Sequence, residues 1–549
     1  MAQLAVVLVK LVRPIIPARP SHLDEPRPRA PRRRVRALIT ALVVVLPAIT
    51  AVAPASAAGS TAPGQLYAFG ENNDGQLGNA ANNGSTSANP APVQLSVPAA
   101  TGQLVQVATA KDHSLLLTSS GQVFSFGDNY YGQLGNATNA NNSAVSANPD
   151  PTPVTLPGPA AQVAAGDQLS LVLLSNGQLY AFGANEEGQL GNNNNDASIA
   201  NPTPTLVNLP GGATVAQIAA GDDFSLALTT GGQLYAFGDN QYGQLGDGTN
   251  NATIAANPTP ALVALPAGRI TQIAAGFDYS LVLSSTGQVF AFGDNDYGQL
   301  GSPDNSGTTT ASPSATQVSI PASAGPVVQI AAGGYHSLVL TSSGQVYAFG
   351  DNDYGELASA ANNGTTTANS SPALVKLPAG AGPAAHVAAG FDDSLVLTTA
   401  GQLYAFGNNE FGQMGTSTNS GVSGPNPVPQ PVGLPAGATV DTVFSGSSSY
   451  STFAIVADLA IAMGSVSQGR VHTTYATQVR ASGGALPYKW TAAGLPPGLS
   501  IGATSGKISG KPKTKGTFVA TVTVTDRFGI KTSVHLKLTI KAAAATHKH

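Results

Sequence analysis

Seven near-copies of one short stretch determine what this chain can fold into. The copy at residues 235–246 reads YAFGDNQYGQLG, and successive copies begin 55 to 57 residues apart. A repeat of this period is typical of one supersecondary unit that is stacked in an array or arranged in a circle. The copies begin at Tyr67, Phe124, Tyr180, Tyr235, Phe290, Tyr347 and Tyr404.

Each unit has the pattern of a small antiparallel sheet. In residues 218–246, two short β-type runs are separated by Thr-Thr-Gly-Gly, which favours a hairpin. The chain contains 63 Gly and 39 Pro, a composition that suits tight turns and short strands better than helices. We expect a polar loop at residues 250–260 before an apolar strand resumes at Leu262. About four strands per unit are typical of a propeller blade.

The two ends of the array are incomplete in complementary ways. The array, residues 64–456, opens with GQLYAFG and lacks the strand pair that precedes this motif elsewhere. It closes at residues 440–456 with a segment that resembles the missing pair and has no YAFG after it. Pairing of the two halves would complete a blade and remove the exposed edges of an open array. The sequence therefore predicts an all-β, seven-bladed β-propeller closed by its N- and C-terminal half-repeats.

The repeat motif resembles that of a known family. The alternation of AAGxxxSLVLTSSGQVYAFG with GDNxYGQLG is similar to the repeats of the regulator of chromosome condensation family, over nearly 400 residues. The resemblance implies a seven-bladed propeller. It implies function less strongly, because the family's eukaryotic namesake is a guanine-nucleotide exchange factor on chromatin, whereas secreted bacterial relatives are binders, including an inhibitor of β-lactamases.

Charge is segregated along the chain. Residues 1–36 carry nine Lys or Arg and two acids, residues 59–457 carry three basic residues and 24 acids, and residues 458–549 carry twelve basic residues and two acids. The acidic repeat array would repel phosphates, so we expect no nucleic-acid partner.

The first 57 residues resemble an export leader. Arginines precede an apolar run at residues 37–52, and Ala55-Ser56-Ala57 supplies the small residues that a signal peptidase reads. We predict cleavage after Ala57 and an extracellular or cell-surface location. An uncleaved anchor is the alternative, although the apolar run is short for a membrane span and contains Pro47.

Two columns of the repeat hold candidate ligand-binding residues. The first column is acidic and lies just before the second strand of a unit. In a closed ring these carboxylates could surround one mouth of the central channel and bind a cation or a basic ligand. Alternatively, each Asp could cap a turn by bonding to backbone amides. The second is an aromatic corner before Gly, which could pack between blades or form a recognition surface. The acidic candidates are Asp112, Asp223, Asp278 and Asp392. The aromatic candidates are Tyr131, Tyr242, Tyr297, Tyr354 and Phe411.

A third column holds the histidines that the family usually carries. His113 and His336 keep this residue, while other units have Leu169, Phe224, Tyr279 or Asp393. A position that accepts Leu and Phe is expected to serve packing.

A different module follows at residues 458–541. Alternating runs at residues 517–525 and 533–540 indicate half-buried strands. The motif LPPGL at residues 495–499, with ISG at residues 508–510, resembles the immunoglobulin-like domains of bacterial surface and secreted proteins. A sandwich with Trp490 in its core follows from this resemblance. The basic cluster Lys507, Lys511, Lys513 and Lys515 could contact an anionic cell envelope or be a solvated loop. Residues 542–549 are expected to be a flexible tail.

The sequence contains no recognisable catalytic, metal-binding or phosphate-binding motif. Cys is absent, and no nucleophile with a base, metal-ligand cluster or phosphate-binding loop is visible, so we predict no catalytic residues, no metal and no cofactor. We expect a secreted or cell-surface, non-enzymatic binding or adhesion protein whose propeller face and loops recognise a protein or glycan. The alternatives are a secreted inhibitor of an extracellular enzyme and, by resemblance to the family, a guanine-nucleotide exchange factor.

Overall fold

The computed structural model describes residues 64–96, 103–141, 147–193, 199–266, 268–435, 438–463, 466–482, 488–525 and 531–543. The leader with its cleavage position and most of the C-terminal tail lie outside these residues. The described residues form strands and two short 3-10 turns, Pro210–Gly212 and Ala322–Ala324. None of them forms a helix that is long and apolar enough to cross a membrane.

The repeat array forms seven four-stranded antiparallel sheets. The first six strands are β1 (Gln65–Gly70), β2 (Asn89–Leu95), β3 (Leu104–Thr109), β4 (His113–Thr118), β5 (Val123–Gly127) and β6 (Asn148–Pro153). The next eight are β7 (Ala160–Ala165), β8 (Leu169–Leu174), β9 (Leu179–Gly183), β10 (Asn201–Leu206), β11 (Val215–Ala220), β12 (Phe224–Thr229), β13 (Leu234–Gly238) and β14 (Asn257–Leu262). They are followed by β15 (Ile270–Ala275), β16 (Tyr279–Ser284), β17 (Val289–Gly293), β18 (Ser312–Gln317), β19 (Val327–Ala332), β20 (His336–Thr341), β21 (Val346–Gly350) and β22 (Asn369–Leu374). The last six are β23 (Ala384–Ala389), β24 (Asp393–Thr398), β25 (Leu403–Gly407), β26 (Gln430–Pro431), β27 (Val440–Phe444) and β28 (Ser451–Val456).

One blade is built from both ends of the array. Its strand order is β2-β1-β28-β27, and β1 pairs with β28 in a continuous antiparallel register from Gln65 opposite Val456 to Gly70 opposite Ser451. This blade is blade 1, and the other six follow in chain order as blades 2 to 7. The predicted closure by two half-repeats is therefore confirmed.

Neighbouring blades are joined through their inner strands. The inner strands β3, β7, β11, β15, β19, β23 and β27 each contact the next one, and β27 contacts β3. Glutamine side chains reinforce this ring: Gln162 in β7 donates to the carbonyl of Ile218 in β11 at 3.1 Å, and its own oxygen accepts from the Ile218 amide at 3.0 Å. Each such bond satisfies backbone groups that a sheet edge would otherwise leave open.

A buried phenylalanine from each YAFG motif fills the space between blades. Phe237 is fully buried, and a methyl group added at Gly191 of the preceding corner would lie 3.1 Å from its ring. Gly191 also has a φ of 68°, a conformation that favours glycine. The seven equivalent rings are Phe69, Phe126, Phe182, Phe237, Phe292, Phe349 and Phe406.

One outer strand lies where a loop was expected. The expected loop at residues 250–260 overlaps strand β14, which begins at Asn257 and contains Pro258 and Pro260. These prolines are compatible with a strand because β14 is the outer edge of its sheet, where amide hydrogens are not needed for a further partner.

The C-terminal module is an eight-stranded sandwich. One sheet has the order β29-β31-β34-β33 and the other the order β30-β36-β35-β32. Trp490 is 3% exposed within its core, as predicted. The strands are β29 (Ala460–Met463), β30 (Gly469–Arg470), β31 (Tyr475–Ser482), β32 (Lys489–Ala493), β33 (Leu499–Ile501), β34 (Lys507–Gly510), β35 (Gly516–Thr525) and β36 (Lys531–Lys541).

Candidate functional site

The loops between the first and second strand of the blades meet around the propeller axis. We call them the mouth ring: residues 110–112, 166–168, 221–223, 276–278, 333–335, 390–392 and 446–450. Backbone bonds join successive loops, for example from the Asp222 amide to the Phe277 carbonyl at 3.1 Å and from the Phe391 amide to the Ser449 carbonyl at 2.9 Å. These bonds fix the loops against one another, so their side chains form one rigid surface.

One side of the mouth ring is aromatic. The Tyr335 ring lies 5.6 Å from both Phe277 and Phe391, and Phe391 lies 5.2 Å from Tyr450. Tilted and edge-on contacts at these distances are favourable geometries for aromatic pairs. Two corner residues extend the cluster at its ends. The aromatic arc consists of Phe277, Tyr297, Tyr335, Phe391, Phe411 and Tyr450.

The other side of the mouth ring is acidic. Burial and the neighbouring Asp167 raise the pKa of Asp112 well above its usual range, and burial with Asp223 does the same for Asp222. Burial disfavours the charge of Lys111, but Asp167, Asp112 and the acids around them leave its pKa raised overall. The acidic arc consists of Glu71, Asp112, Asp167, Asp222 and Asp223, with Lys111 among them.

The four candidate aspartates occupy equivalent positions, and two of them accept a hydrogen bond from the neighbouring blade. Gln189, in a corner of blade 3, donates to Asp223 of blade 4 at 2.9 Å, and Gln244 donates to Asp278 of blade 5 at 3.2 Å. Burial, strengthened by other carboxylates, raises the pKa of Asp278 and Asp392 well above the usual range. The hydrogen bonds to Asp223 and Asp278 join neighbouring blades.

Three of the five corner aromatics contact another aromatic ring. Tyr297 and Phe411 lie at the ends of the aromatic arc, 5.1 Å from Tyr335 and Tyr450 respectively. Tyr131 instead lies on the acidic side and contacts Tyr130 at 4.8 Å.

Tyr242 and Tyr354 complete the corner column. The amide of each donates to the side chain two residues later, to Gln244 at 2.9 Å and to Glu356 at 3.0 Å. The main-chain carbonyl of Tyr354 accepts from Asn426 of the next blade at 2.7 Å. The backbone of the corner therefore joins neighbouring blades, independently of the aromatic side chain.

The histidine column serves packing, as expected. His113 and His336 are completely buried and bond to Ser170 and Ser394 of the next blade at 2.8 and 2.9 Å. Burial lowers the pKa of each imidazole to about 3. A neutral, enclosed imidazole with a serine partner that also donates to a main-chain carbonyl has no access to substrate.

One corner departs from the others. In blade 4, Gln244 donates to Asp239 at 2.9 Å and to Asp278 at 3.2 Å. Blade 6 has Glu356 at this position, facing Asp351 and Asp392, and one oxygen of its fully buried carboxyl has no hydrogen-bond partner. Burial and these two acids raise the pKa of Glu356 well above its usual range.

Residues of the aromatic arc were missed from sequence for an identifiable reason. Phe277, Phe391, Tyr335 and Tyr450 fall in columns that hold Lys, Asp, Gly or Ser in other units, so no conserved chemistry marks them. The packing of successive blades makes them neighbours. Among the described residues, no group of three or more His, Asp or Glu side chains is arranged to hold a metal ion.

Comparison with family models decides the identity of the repeats. The RCC1-like domain model matches residues 207–482, and the regulator of chromosome condensation (RCC1) repeat model matches residues 63–117, 120–173 and 176–228. The chain belongs to the RCC1-like family. An Ig-domain family model, He_PIG, matches residues 454–541 of the same chain, which agrees with the sandwich.

Known proteins share the RCC1-like repeats. The human E3 ubiquitin-protein ligase HERC2 is 33% identical over 319 residues, which are 58% of this chain but 6% of the ligase. The ultraviolet-B receptor UVR8 of Arabidopsis thaliana is 29% identical over 353 residues, 64% of this chain and 74% of the receptor. The chain therefore spans only a small part of the human ligase.

Solved structures share the fold. Prp20p from Saccharomyces cerevisiae superposes with a TM-score of 0.63 at 24% identity, covering 73% of this chain and 93% of Prp20p. Human WBSCR16 superposes with a TM-score of 0.60 at 23% identity, covering 72% of this chain and 99% of WBSCR16. Both similarities establish the architecture of the RCC1-like propeller.

Proposed function

We propose that this RCC1-like protein is a non-catalytic binding protein whose mouth ring recognises a protein partner. The observation that carries the proposal is the division of one rigid surface into an aromatic arc and an acidic arc. Clustered aromatic side chains beside polar groups are typical of the centre of protein interfaces. Related propellers also hold proteins, since Prp20p binds Gsp1p and histones and the yeast protein is known in complex with Kap60.

We expect a macromolecule rather than a small ligand at the mouth ring. Two cavities, of about 480 Å³ beside Leu190 and Thr205 and about 290 Å³ beside Gly287 and Pro321, lie on blades 3 and 5, away from the mouth ring. Small ligands are usually enclosed in apolar clefts, whereas a protein partner can cover an open surface.

We further propose that the protein acts outside the cell. The export leader predicted at residues 1–57 and the sandwich related to Ig domains support this location. N-terminal sequencing of the protein recovered from culture medium and envelope is expected to begin after Ala57. Recovery only from the cytosol with Met1 intact would contradict export.

Binding by the mouth ring is tested with face-specific variants of the full chain. Phe391→Ala combined with Tyr450→Ala shortens the aromatic arc, while Tyr131→Ala removes a similar ring from the acidic side. Proteins captured by the wild type are identified, purified and titrated against each variant. We expect the double variant to weaken binding by roughly 30-fold or more, the effect of removing an interface hot spot.

Tyr131→Ala is the matched control, because it removes an aromatic ring outside the aromatic arc. Tyr131→Ala is expected to change the affinity by less than about threefold, as peripheral interface residues do. Equal affinity of the wild type and the double variant, with unchanged melting temperatures, would overturn the mouth ring as the recognition surface. Turnover of the captured partner or accelerated nucleotide exchange on it would overturn the non-catalytic role.

A further inference from the structure

The sandwich carries a positive charge that no acid in its described residues neutralises. The single acid among them is Asp458. It precedes β29, which belongs to the sheet β29-β31-β34-β33. Exposed cations dominate the surface: Arg470, Arg480, Lys489, Lys507, Lys511, Lys513, Lys515, Lys531, Lys537 and Lys541. An uncompensated surface of one sign attracts polymers of the opposite sign.

Half of these cations share one face of one sheet. Lys489 on β32 and Lys531 on β36 are both paired with Thr525 on β35, so the three side chains lie on the same face. Arg470 on β30 is paired with Lys541 on β36. We call this surface the basic face: Arg470, Lys489, Lys531, Lys537 and Lys541.

The register of β36 separates the basic face from the core. Lys531, Lys537 and Lys541 occupy alternate positions and are exposed, whereas Leu536 and Leu538 point inward and are buried. At about 3.3 Å per residue, the lysines of β36 extend over roughly 33 Å. The basic face is therefore a long track of positive charge on a rigid strand.

Most side chains between the cations are hydroxylated, and His535 and the exposed Val519 are exceptions. Thr523 bonds to Ser533 at 2.7 Å, and Thr521 bonds to His535 at 3.2 Å, both across the β35–β36 pair. No described residue of the face is Phe, Tyr or Trp, so His535 is the one described ring on which a single-stranded base could stack. Four of its five cations are lysines, which act as point charges without the bidentate geometry of arginine.

We propose that the basic face binds a linear phosphate polymer that lies along β36. The strand offers repeated cations at a spacing that a flexible chain of phosphates can follow, and the hydroxyl groups between them can bond to phosphate oxygens. Binding is independent of sequence or base identity and is driven by the release of counterions. This activity belongs to the sandwich and does not depend on the function of the mouth ring.

The test uses the full chain and long-chain inorganic polyphosphate. Affinity is measured as a function of salt for the wild type and for a variant with Gln at Lys489, Lys531, Lys537 and Lys541. At about 0.7 unit of salt slope per phosphate contact, the wild type is expected to show a slope of about −3.5, and the variant, which keeps Arg470, a slope of about −0.7. The affinity at low salt is expected to fall at least ~10-fold.

A second variant provides the matched control. Replacing Lys507, Lys511, Lys513 and Lys515 with Gln removes the same charge from the β34–β35 region and is expected to leave most of the slope intact. Equal losses in both variants would show diffuse attraction and overturn the basic face. Binding of duplex DNA or heparin more tightly than polyphosphate under the same conditions would overturn the choice of ligand, as would failure of polyphosphate to bind. Circular dichroism and melting temperature verify that each variant is folded.

Discussion

Two residues make one corner of the propeller differ from its six counterparts. At residue 356 the corner of blade 6 has Glu where the others have Gln, and at residue 358 it has Ala where the others have Gly. Gln244 shows what an amide can do at this position, because it donates to two aspartates at once. An ionised Glu356 could only repel Asp351 and Asp392, so this corner must retain protons to keep its geometry.

Glu356→Gln should therefore stabilise the protein most at high pH. The raised pKa of Glu356 means that the folded state holds a proton that the unfolded state releases above about pH 4.5, so stability is lost as pH rises. A glutamine removes this proton and can donate to both aspartates. We expect a gain of about 1–3 kcal/mol in unfolding free energy at pH 8 and little change at pH 4.5, measured by urea denaturation.

The reverse substitution is available as a control in the same molecule. Gln244→Glu would place a third carboxyl between Asp239 and Asp278 and should make the protein less stable as pH rises. If Glu356→Gln gave the same gain at pH 4.5 as at pH 8, repulsion among ionised carboxyls would not be the cause.

Ala358 carries a separate strain. Its φ is 50°, whereas its counterparts are glycines such as Gly301 with a φ of 63°. A left-handed conformation costs a residue with a Cβ about 1 kcal/mol or more. Ala358→Gly should accordingly raise the unfolding free energy by about 0.5–1 kcal/mol at every pH. A loss of stability in thermal denaturation would show that the packing of the Ala358 methyl group outweighs the strain.

At the scale of elements, the sequence predicted strands where the alternation of apolar residues was regular. The sandwich strands were visible in this way, whereas the hairpins of each unit were predicted from short β-type runs with turn residues between them, and the closing half-repeats from the incomplete ends of the array. The outer strand β14 was assigned to a loop, because Asn257, Pro258 and Pro260 are signals for turns. Proline is tolerated there only because the strand forms an edge, and being an edge is a property of the sheet rather than of the segment.

The candidate site was less predictable than the fold. Tyr297 and Phe411 were found because an aromatic residue recurs at one position in five of the seven units. Their partners Phe277 and Phe391 were missed because their column also holds Lys111, Asp167 and Asp222. The aromatic and acidic arcs arise from the order of the blades around the ring, and a pattern within one unit does not contain that order.

The closing strand offers a test at this scale. A protein that starts at residue 71 lacks β1, so β28 and β2 lose the partner that lies between them. A protein that starts at residue 64 keeps every backbone bond of β1 with β28. We expect the first to lose cooperative unfolding or to aggregate through its open edges, and the second to unfold as the full chain does. Indistinguishable melting curves of the two would contradict closure by the terminal half-repeat.

At the scale of the whole molecule, the propeller combines excess acid with extensive burial. Burial, assisted by Asp74, raises the pKa of Glu71 to about 8, and burial with neighbouring acids raises those of Asp223 and Asp294 to about 7. Asp393, buried with neither carboxyl oxygen bonded, is shifted in the same direction. These groups are protonated in the folded protein at pH values at which they are ionised in the unfolded chain.

The sign of the resulting pH dependence follows from proton counts. Stability changes by about 1.4 kcal/mol per pH unit for each proton by which the two states differ, and it falls with rising pH where the folded state holds more protons. Three buried histidines act in the opposite direction: the pKa values of His113 and His336 are lowered to about 3 and that of His386 to about 4. The histidines therefore reduce stability only below about pH 6.5, where the unfolded chain gains their protons.

The acids outnumber the histidines, so we expect the melting temperature to fall as pH rises from 6.5 to 8, where only the acids contribute. Between pH 4.5 and 6.5 the histidines offset part of this slope, which places the maximum of stability on the acidic side of neutrality. Differential scanning calorimetry from pH 4.5 to 8.5 measures the curve. Glu71→Gln is expected to flatten it from about pH 5 to 8, because over that range the folded protein holds the Glu71 proton that the unfolded chain has released. A melting temperature that rises steadily to pH 8 would mean that the buried carboxyls are ionised in the folded protein. Other contacts in the propeller would then stabilise the ionised carboxyls in place of protonation.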